Sequence, residues 1–238
     1  MENQITTITF FKFKSFRTKL WAFFMMQFAH SSLKKVENQT FYKLMGSGKG
    51  LGFNPMPDWS VYCLIQVWNT EKDADLFLED SKIMSSYKNN SYEVLTTFMR
   101  NISSHGLWSG KNPFIKNKEI NPENPYVAAI TRATIKNRSM VKFWKYVPTS
   151  QKPIKNAKGL FFTKGIGEIP LKQMSTFSIW ESVEDLKNFA YNSEEHKKAI
   201  TLTKELKWYS EELFARFQPY KSKGTWQGKE WNFNQPVQ

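Results

Sequence analysis

The sequence predicts an α+β protein made of two copies of one unit, and two observations carry that expectation. First, short motifs return in the same order along the chain. Gly106-Leu107-Trp108-Ser109-Gly110 returns as Gly224-Thr225-Trp226-Gln227-Gly228, and Gly46-Ser47-Gly48 returns as Gly165-Ile166-Gly167. Val67-Trp68, with Glu71, Asp73 and Phe77 behind it, returns as Ile179-Trp180 with Glu181, Asp185 and Phe189; Lys19-Leu20-Trp21 returns as Lys142-Phe143-Trp144. The offsets stay between 112 (180 − 68) and 123 (142 − 19) residues, which unrelated chance matches would not do. Second, each half reads as strand, helix, strand, strand, helix, strand.

That order is the split βαβ, or ferredoxin-like, unit. Two such units in tandem can join their antiparallel sheets as an α+β barrel of the dimeric-α+β-barrel type. The expected limits are 5–110 for the first repeat and 126–228 for the second. Residues 111–125, rich in Asn, Lys and Pro, form the natural linker, and 229–238 read as a loosely held tail.

The elements follow from local pattern. Thr6 to Lys14 reads as a strand, and Leu20 to Ala29 as the start of a buried helix. The latter run is too short to span a bilayer. A secretory apolar region has that length, but the strand before it and the matching second-half segment favour a folded helix. Tyr126 to Lys136 is a strand, and Ser139 to about Thr149 a helix ended near Pro148. Leu160 to Thr163 is a strand stopped by glycines 165 and 167, and Ser175 to Trp180 is another. Ser182 begins a helix, with Asp185 three residues on in a near capping box. From Glu194 to Ala215 the chain reads as mostly helical.

Composition bounds the function. At 238 residues the chain buries enough apolar surface to need no disulfide. Aromatics make up 16%, enough to fill a core or line a pocket for a flat or elongated ligand. Lys and Arg number 34 against 21 acids, a net +13 that suits an acidic partner, nucleic acid or an anionic membrane. The basic residues are scattered, as on a solvated surface. The one cysteine, Cys63, excludes an internal disulfide and a cysteine-rich metal site, and its apolar surroundings suit a buried structural thiol in a reducing cytoplasm.

Few residues could carry chemistry. The histidines are His30, His105 and His196. His30 falls near a helix end and His105 adjoins the Gly-Leu-Trp-Ser-Gly turn. His196 shares a helical face with Ile200, Thr203 and Leu206, where it is either a boundary residue or a ligand. The first half offers Met84 at about the same position. Zinc lacks a second ligand at suitable spacing, whereas haem needs one strong protein ligand and a dry cavity. Gly46-Ser-Gly-Lys-Gly-Leu-Gly52 fails the phosphate-loop template, because no Gly-Lys-Ser/Thr opens a helix. Arg132 interrupts the apolar strand Ala129-Ile130-Thr131-Arg132-Ala133-Thr134 and must be paired or bind an anion. A salt bridge and a haem-propionate or distal-pocket role both remain open for it.

The strings RTKLWAFFMMQF, FYKLMGSGKGLGF, GLWSGKNPF, AAITRATIK, FWKYVP, KGIGEIP, TFSIW and EELFARF with GTWQG resemble the motifs of the spheroidene monooxygenase family. They spread from Phe10 to Gly228. The resemblance implies a haem-dependent oxidoreductase that uses O₂ to oxygenate a long hydrophobic, carotenoid-like substrate. It also implies reduced ferredoxin, an acidic protein that the net positive charge would attract. His196-Lys197-Lys198-Ala199-Ile200 matches the family's histidine before an Ala-Ile pair, which assigns His196 as the iron ligand of haem b and places Ile200 beside the cofactor. Arg132 matches the Arg of the Thr-Arg-Ala-Thr motif and is assigned a catalytic and cofactor-binding role. Lys164, Gln173 and Trp180 lie in family motifs and are assigned to pocket lining. A cytoplasmic protein that associates with membrane to reach a lipophilic substrate, with homo-oligomers allowed, completes the expectation. Two alternatives stand beside it. One keeps haem but changes the reaction, as in aldoxime dehydratase-like or peroxide-using enzymes; the other is a non-enzymatic nucleic-acid-binding module.

Overall fold

Eight segments turn successive side chains to opposite faces, as strands do. In the computed structural model, which describes residues 4–52, 54–192, 201 and 205–233, all eight are strands of one closed barrel. The first half runs β1 (Ile5–Lys12), α1 (Phe16–Phe28), α2 (His30–Leu33), β2 (Gln39–Gly48), β3 (Pro57–Trp68), α3 (Glu71–Asp80), α4 (Lys82–Asn90) and β4 (Glu93–Gly106). The second runs β5 (Val127–Ile135), α5 (Met140–Gln151), β6 (Leu160–Ile169), β7 (Gln173–Trp180), α6 (Val183–Asn192) and β8 (Tyr209–Gly224). The order around the barrel is β1-β3-β2-β6-β7-β5-β8-β4, and all eight neighbour pairs are antiparallel.

The strand order of one half reappears in the other. Trp68 pairs with Ile5, and Trp180 holds the corresponding register opposite Val127. Thr70 caps α3 by accepting from the Asp73 amide at 3.2 Å; Ser182 does the same for Asp185 at 3.0 Å. The halves join along β4–β8 and through a short β2–β6 contact, where Gly46 faces Gly167.

A barrel of eight strands has an interior just wide enough for side chains. Here it is filled. Ile8, Phe10, Met45, Cys63, Ile65, Met99, Trp108, Ile130, Phe177, Ala215, Phe217 and their neighbours form one buried cluster drawn from all eight strands and the connecting segments. Phe10 meets Phe162, Phe177 and Trp226 at ring separations of 5.2, 5.8 and 5.7 Å. Those rings face the core and offer no stacking platform to bases. Burial pushes the Cys63 thiol well above its ordinary value, as a structural role requires.

The two Gly-x-Trp-x-Gly turns plug the barrel, and each is clamped by a carboxylate. Glu211 accepts from the Ser109 and Gly110 amides at 3.1 and 2.7 Å; Glu93 accepts from the Gly228 amide at 2.7 Å and the Thr225 hydroxyl at 3.2 Å. Gly106 and Gly224 both sit at φ +91°, where a Cβ would stand 2.2 Å from the Glu212 carbonyl and 2.1 Å from that of Val94. Only glycine fits there.

Several expectations change. EELFARF lies in β8, not in a helix. Its strong helix formers are outweighed by an alternation that sends Leu213, Ala215 and Phe217 inward and leaves Glu212 exposed. β6 passes through glycines 165 and 167 instead of stopping, because Gly167 lies at the seam with β2. α5 continues through position 148 to Gln151. The 111–125 connection is pinned to the barrel: the Asn117 amide donates to the Gln4 carbonyl at 3.0 Å, and that of Asn124 to the Pro219 carbonyl at 2.7 Å. The expected loose tail begins firmly packed, with Phe233 buried against Tyr126 and Phe161. α1 is not buried: Ala22 is its one buried residue, and Phe16 is 82% exposed.

Gly106→Ala combines a steric clash with a left-handed backbone, so we expect a loss of at least about 2 kcal/mol in urea unfolding. Gly110→Ala, with nothing near its Cβ, should cost less; equal losses would contradict the close-approach account.

Candidate functional site

Each sheet half has an outer face, and the two faces differ. Helices α1 to α4 cover the first. There Phe11, Leu44, Tyr62, Leu64, Phe98, Met84 and Tyr87 form one continuous buried cluster, with the rings of Phe11 and Tyr87 4.6 Å apart. The second face carries two separate, smaller clusters. One gathers Ile135, Phe143, Val147, Met174 and Trp208 beneath α5; the other gathers Val127, Ala129, Trp180 and Leu186 beneath α6.

Between them lies a floor of small side chains. Counting from the paired tryptophans, Thr131 occupies the register of Thr9, Thr176 that of Leu64, Gly165 that of Leu44, and Ala133 that of Phe11. Thr9 is fully buried and hydrogen-bonded to Thr96 at 2.9 Å. Thr131, in the middle of a strand at the middle of a sheet, is exposed, and Thr176 and Ser178 are half-buried. At these registers the second half thus holds Ala, Thr and Gly where the first holds Phe and two Leu. The Trp208 indole N–H at the edge of this floor is buried and has no hydrogen-bond acceptor among the described residues.

The expected site residues do not all converge there. Trp180 does flank the floor: its indole donates to the Ser178 hydroxyl at 2.9 Å and its ring lies 5.1 Å from Phe189. Arg132 lies on the other side of the sheet, in the lumen, 1% exposed. Its guanidinium pairs with Glu211, approaches Glu168 at 3.9 Å and stands 5.8 Å over the Trp108 ring. That is the salt bridge the sequence allowed. Two of its nitrogens, Nε and Nη2, make no hydrogen bond among the described residues. Burial alone would raise the Glu211 carboxyl, but the Gly110 and Ser109 amides and Arg132 hold it below the usual range. Lys164 pairs with Asp58 at 2.9 Å. Gln173 lines an open groove of about 1080 Å³ between α1–α2 and β2, with His30, Lys43, Phe41 and Glu168. In that groove Glu168 accepts from Lys43 at 2.5 Å and from the Trp108 indole at 2.6 Å.

His30 donates to or accepts from the Tyr42 hydroxyl at 3.0 Å; burial, Lys34 and Lys43 lower its imidazole. His105 is exposed on β4, 5.4 Å from the Phe214 ring. His196 and Ile200 fall in the 193–200 stretch and lie outside the described residues. The small floor residues escaped the sequence reading, although a register-by-register comparison of the halves would have exposed Ala133 against Phe11.

The described residues thus define a class of fold, a filled eight-stranded antiparallel α+β barrel with helices on its outside. The fold agrees with that of a solved aldoxime dehydratase, with a TM-score of 0.61 at 8% identity over 91% of this chain and 81% of that one. At such identity the likeness speaks for the fold alone. No protein-family model matches the chain. Curated relatives do: the spheroidene monooxygenase of Rhodobacter capsulatus is 35% identical over 95% of this chain and 94% of its own length. That of Cereibacter sphaeroides is 34% identical over 95% of this chain and 70% of its own. The chain therefore belongs to the spheroidene monooxygenase family.

The clamps at Glu93 and Glu211 generate a pH dependence. Both carboxyls are held below their usual range in the fold. They contribute stability above the unfolded value of about 4.3, and it is lost as pH falls through the folded value. The melting temperature should hold from neutrality to about pH 5 and fall below about pH 4. Glu93→Gln and Glu211→Gln should flatten that fall; an unaltered acid limb would remove the clamps from the account.

Proposed function

We propose that this chain is a haem-dependent monooxygenase acting on a long hydrophobic, carotenoid-like substrate, with its halves as tandem ferredoxin-like repeats and the second repeat holding haem b. The observation that carries the reading is the floor of Thr131, Thr176, Gly165 and Ala133, small residues at the registers of Thr9, Leu64, Leu44 and Phe11, with Thr131 exposed and Thr176 half-buried. A porphyrin is flat and mostly apolar, and a sheet face stripped of large side chains suits its plane. The residues fit the group in three respects. The Phe143–Trp208 and Trp180–Leu186 clusters form apolar walls at either end. The orphaned Trp208 N–H offers one buried donor. In sequence, His196 stands 112 residues (196 − 84) after Met84 of α4, which is buried against the first repeat's outer face.

In this reading His196 would hold the iron, Ile200 and Trp180 would help line the pocket, and the small floor residues would leave room for O₂ and substrate. Haem, when bound, supplies oxygen activation at its iron. The chain's own residues supply the rest. Apolar walls exclude water, the floor sets how closely a ligand approaches the sheet, and Arg132 with Glu211 stiffens β5 from the lumen side. The relatives' names support oxygenation of a carotenoid. The +13 charge supports an acidic ferredoxin as electron donor.

Reconstitution with haem should give a Soret band that His196→Ala abolishes or greatly weakens. Thr131→Phe, a change at an exposed position, should leave the free energy of unfolding within about 1 kcal/mol of wild type and weaken haem binding at least about tenfold, some 1.4 kcal/mol. An unchanged haem titration in Thr131→Phe would take the cofactor off this face.

A further inference from the structure

We propose that α1 docks the protein on an anionic phospholipid surface, an assignment independent of the haem reading. A surface helix normally turns one apolar stripe to the core and a polar face to water. α1 does not. Trp21, Ala22, Met25, Met26 and Ala29 pack on the first half's outer face. On the opposite side Phe16, Leu20, Phe23, Phe24 and Phe28 are all exposed, Phe28 by 64%. The rings make a continuous surface: Phe23 meets Phe24 at 5.7 Å and Trp59 at 5.4 Å, and Phe24 meets Phe28 at 6.4 Å. Trp59 adds the β2–β3 hairpin, whose Leu51 and Met56 are also exposed. Contiguous apolar patches of this kind mark an interaction surface.

Charge selects the occupant. Residues 12–36 carry Lys12, Lys14, Arg17, Lys19, Lys34 and Lys35 and no Asp or Glu. Lys14, Arg17, Lys34 and Lys35 are exposed, and none of these four has an acidic partner among the described residues. Aromatic residues inserted at the headgroup boundary with Lys and Arg around them are the arrangement of an interfacial helix. A second copy of this chain is disfavoured, because a two-fold interface would set this basic segment against itself. At 13 residues α1 lies on a bilayer rather than across it, and no helix among the described residues is long and apolar enough to cross. Phe23, Phe24 and Phe28 also form the lip of the groove that runs past Phe41 to Gln173, so a lipophilic molecule leaving the membrane would meet an opening.

The test is co-sedimentation of the full chain with sucrose-loaded vesicles of phosphatidylcholine alone or mixed equally with phosphatidylglycerol. Binding should be at least about tenfold tighter to the anionic vesicles, and Arg17→Gln with Lys19→Gln should weaken it by about fivefold per charge removed. Phe24→Glu with Phe28→Glu should abolish pelleting while the circular dichroism melt and any Soret band stay unchanged. The proposal is overturned if neither vesicle pellets the protein, if pelleting survives the double Phe variant, or if gel filtration shows a dimer that this variant turns into monomer. Failure to bind haem in every variant would count against the cofactor reading alone.

Discussion

A barrel whose lumen is packed with its own side chains has no room inside for a ligand, and that constraint shapes everything else in this molecule. Phe10, Phe162, Phe177, Trp108 and Trp226 meet across the interior and fix the strands from within. That leaves the two outer sheet faces, which helices cover. One face is filled, with Phe11, Leu44 and Leu64 meeting α1 to α4. The other carries smaller side chains at the same registers, with Thr131 exposed. The halves thus differ in side-chain volume at matching registers.

The clamps explain how the barrel keeps its shape. Glu93, at the start of β4, holds the turn that ends β8; Glu211, near the start of β8, holds the turn that follows β4. Each half thus closes the other. Lys12 lies 3.4 Å from Glu93 and 5.5 Å over Trp226, and Arg132 plays the matching part with Glu211 and Trp108. Pairing of this kind makes up for desolvating a guanidinium only because each carboxylate also accepts backbone hydrogen bonds. The rigid lumen in turn lets the floor around Thr131 stay free of large side chains.

Much of this was readable from the residues. The returning Gly-x-Trp-x-Gly and Val-Trp motifs gave the order of elements, since a turn needing positive φ and a buried tryptophan tolerate few substitutes. Ser182 with Asp185 marked a helix start because its hydrogen bonds are local. What failed was non-local. β8 contains EELFARF, whose intrinsic preference is helical, and only pairing with β4 and β5 overrides it. α1 looked like a core element because its residues are apolar, and nothing within the run says which face meets the sheet. Arg132 was rightly seen as needing a partner, but Glu211 lies 79 residues away. The floor was hidden for a different reason: Ala, Thr and Gly signal space only when set beside the larger residues that fill the twin position.

The proposed haem site is the outer side of β5 to β8. Crystals of haem-reconstituted protein, measured at the iron absorption edge, test it most directly. The account predicts a single anomalous peak above the outer face near Thr131, on the side of Trp180 and Trp208. A peak in the lumen beside Arg132, or in the groove beneath α1, would contradict it.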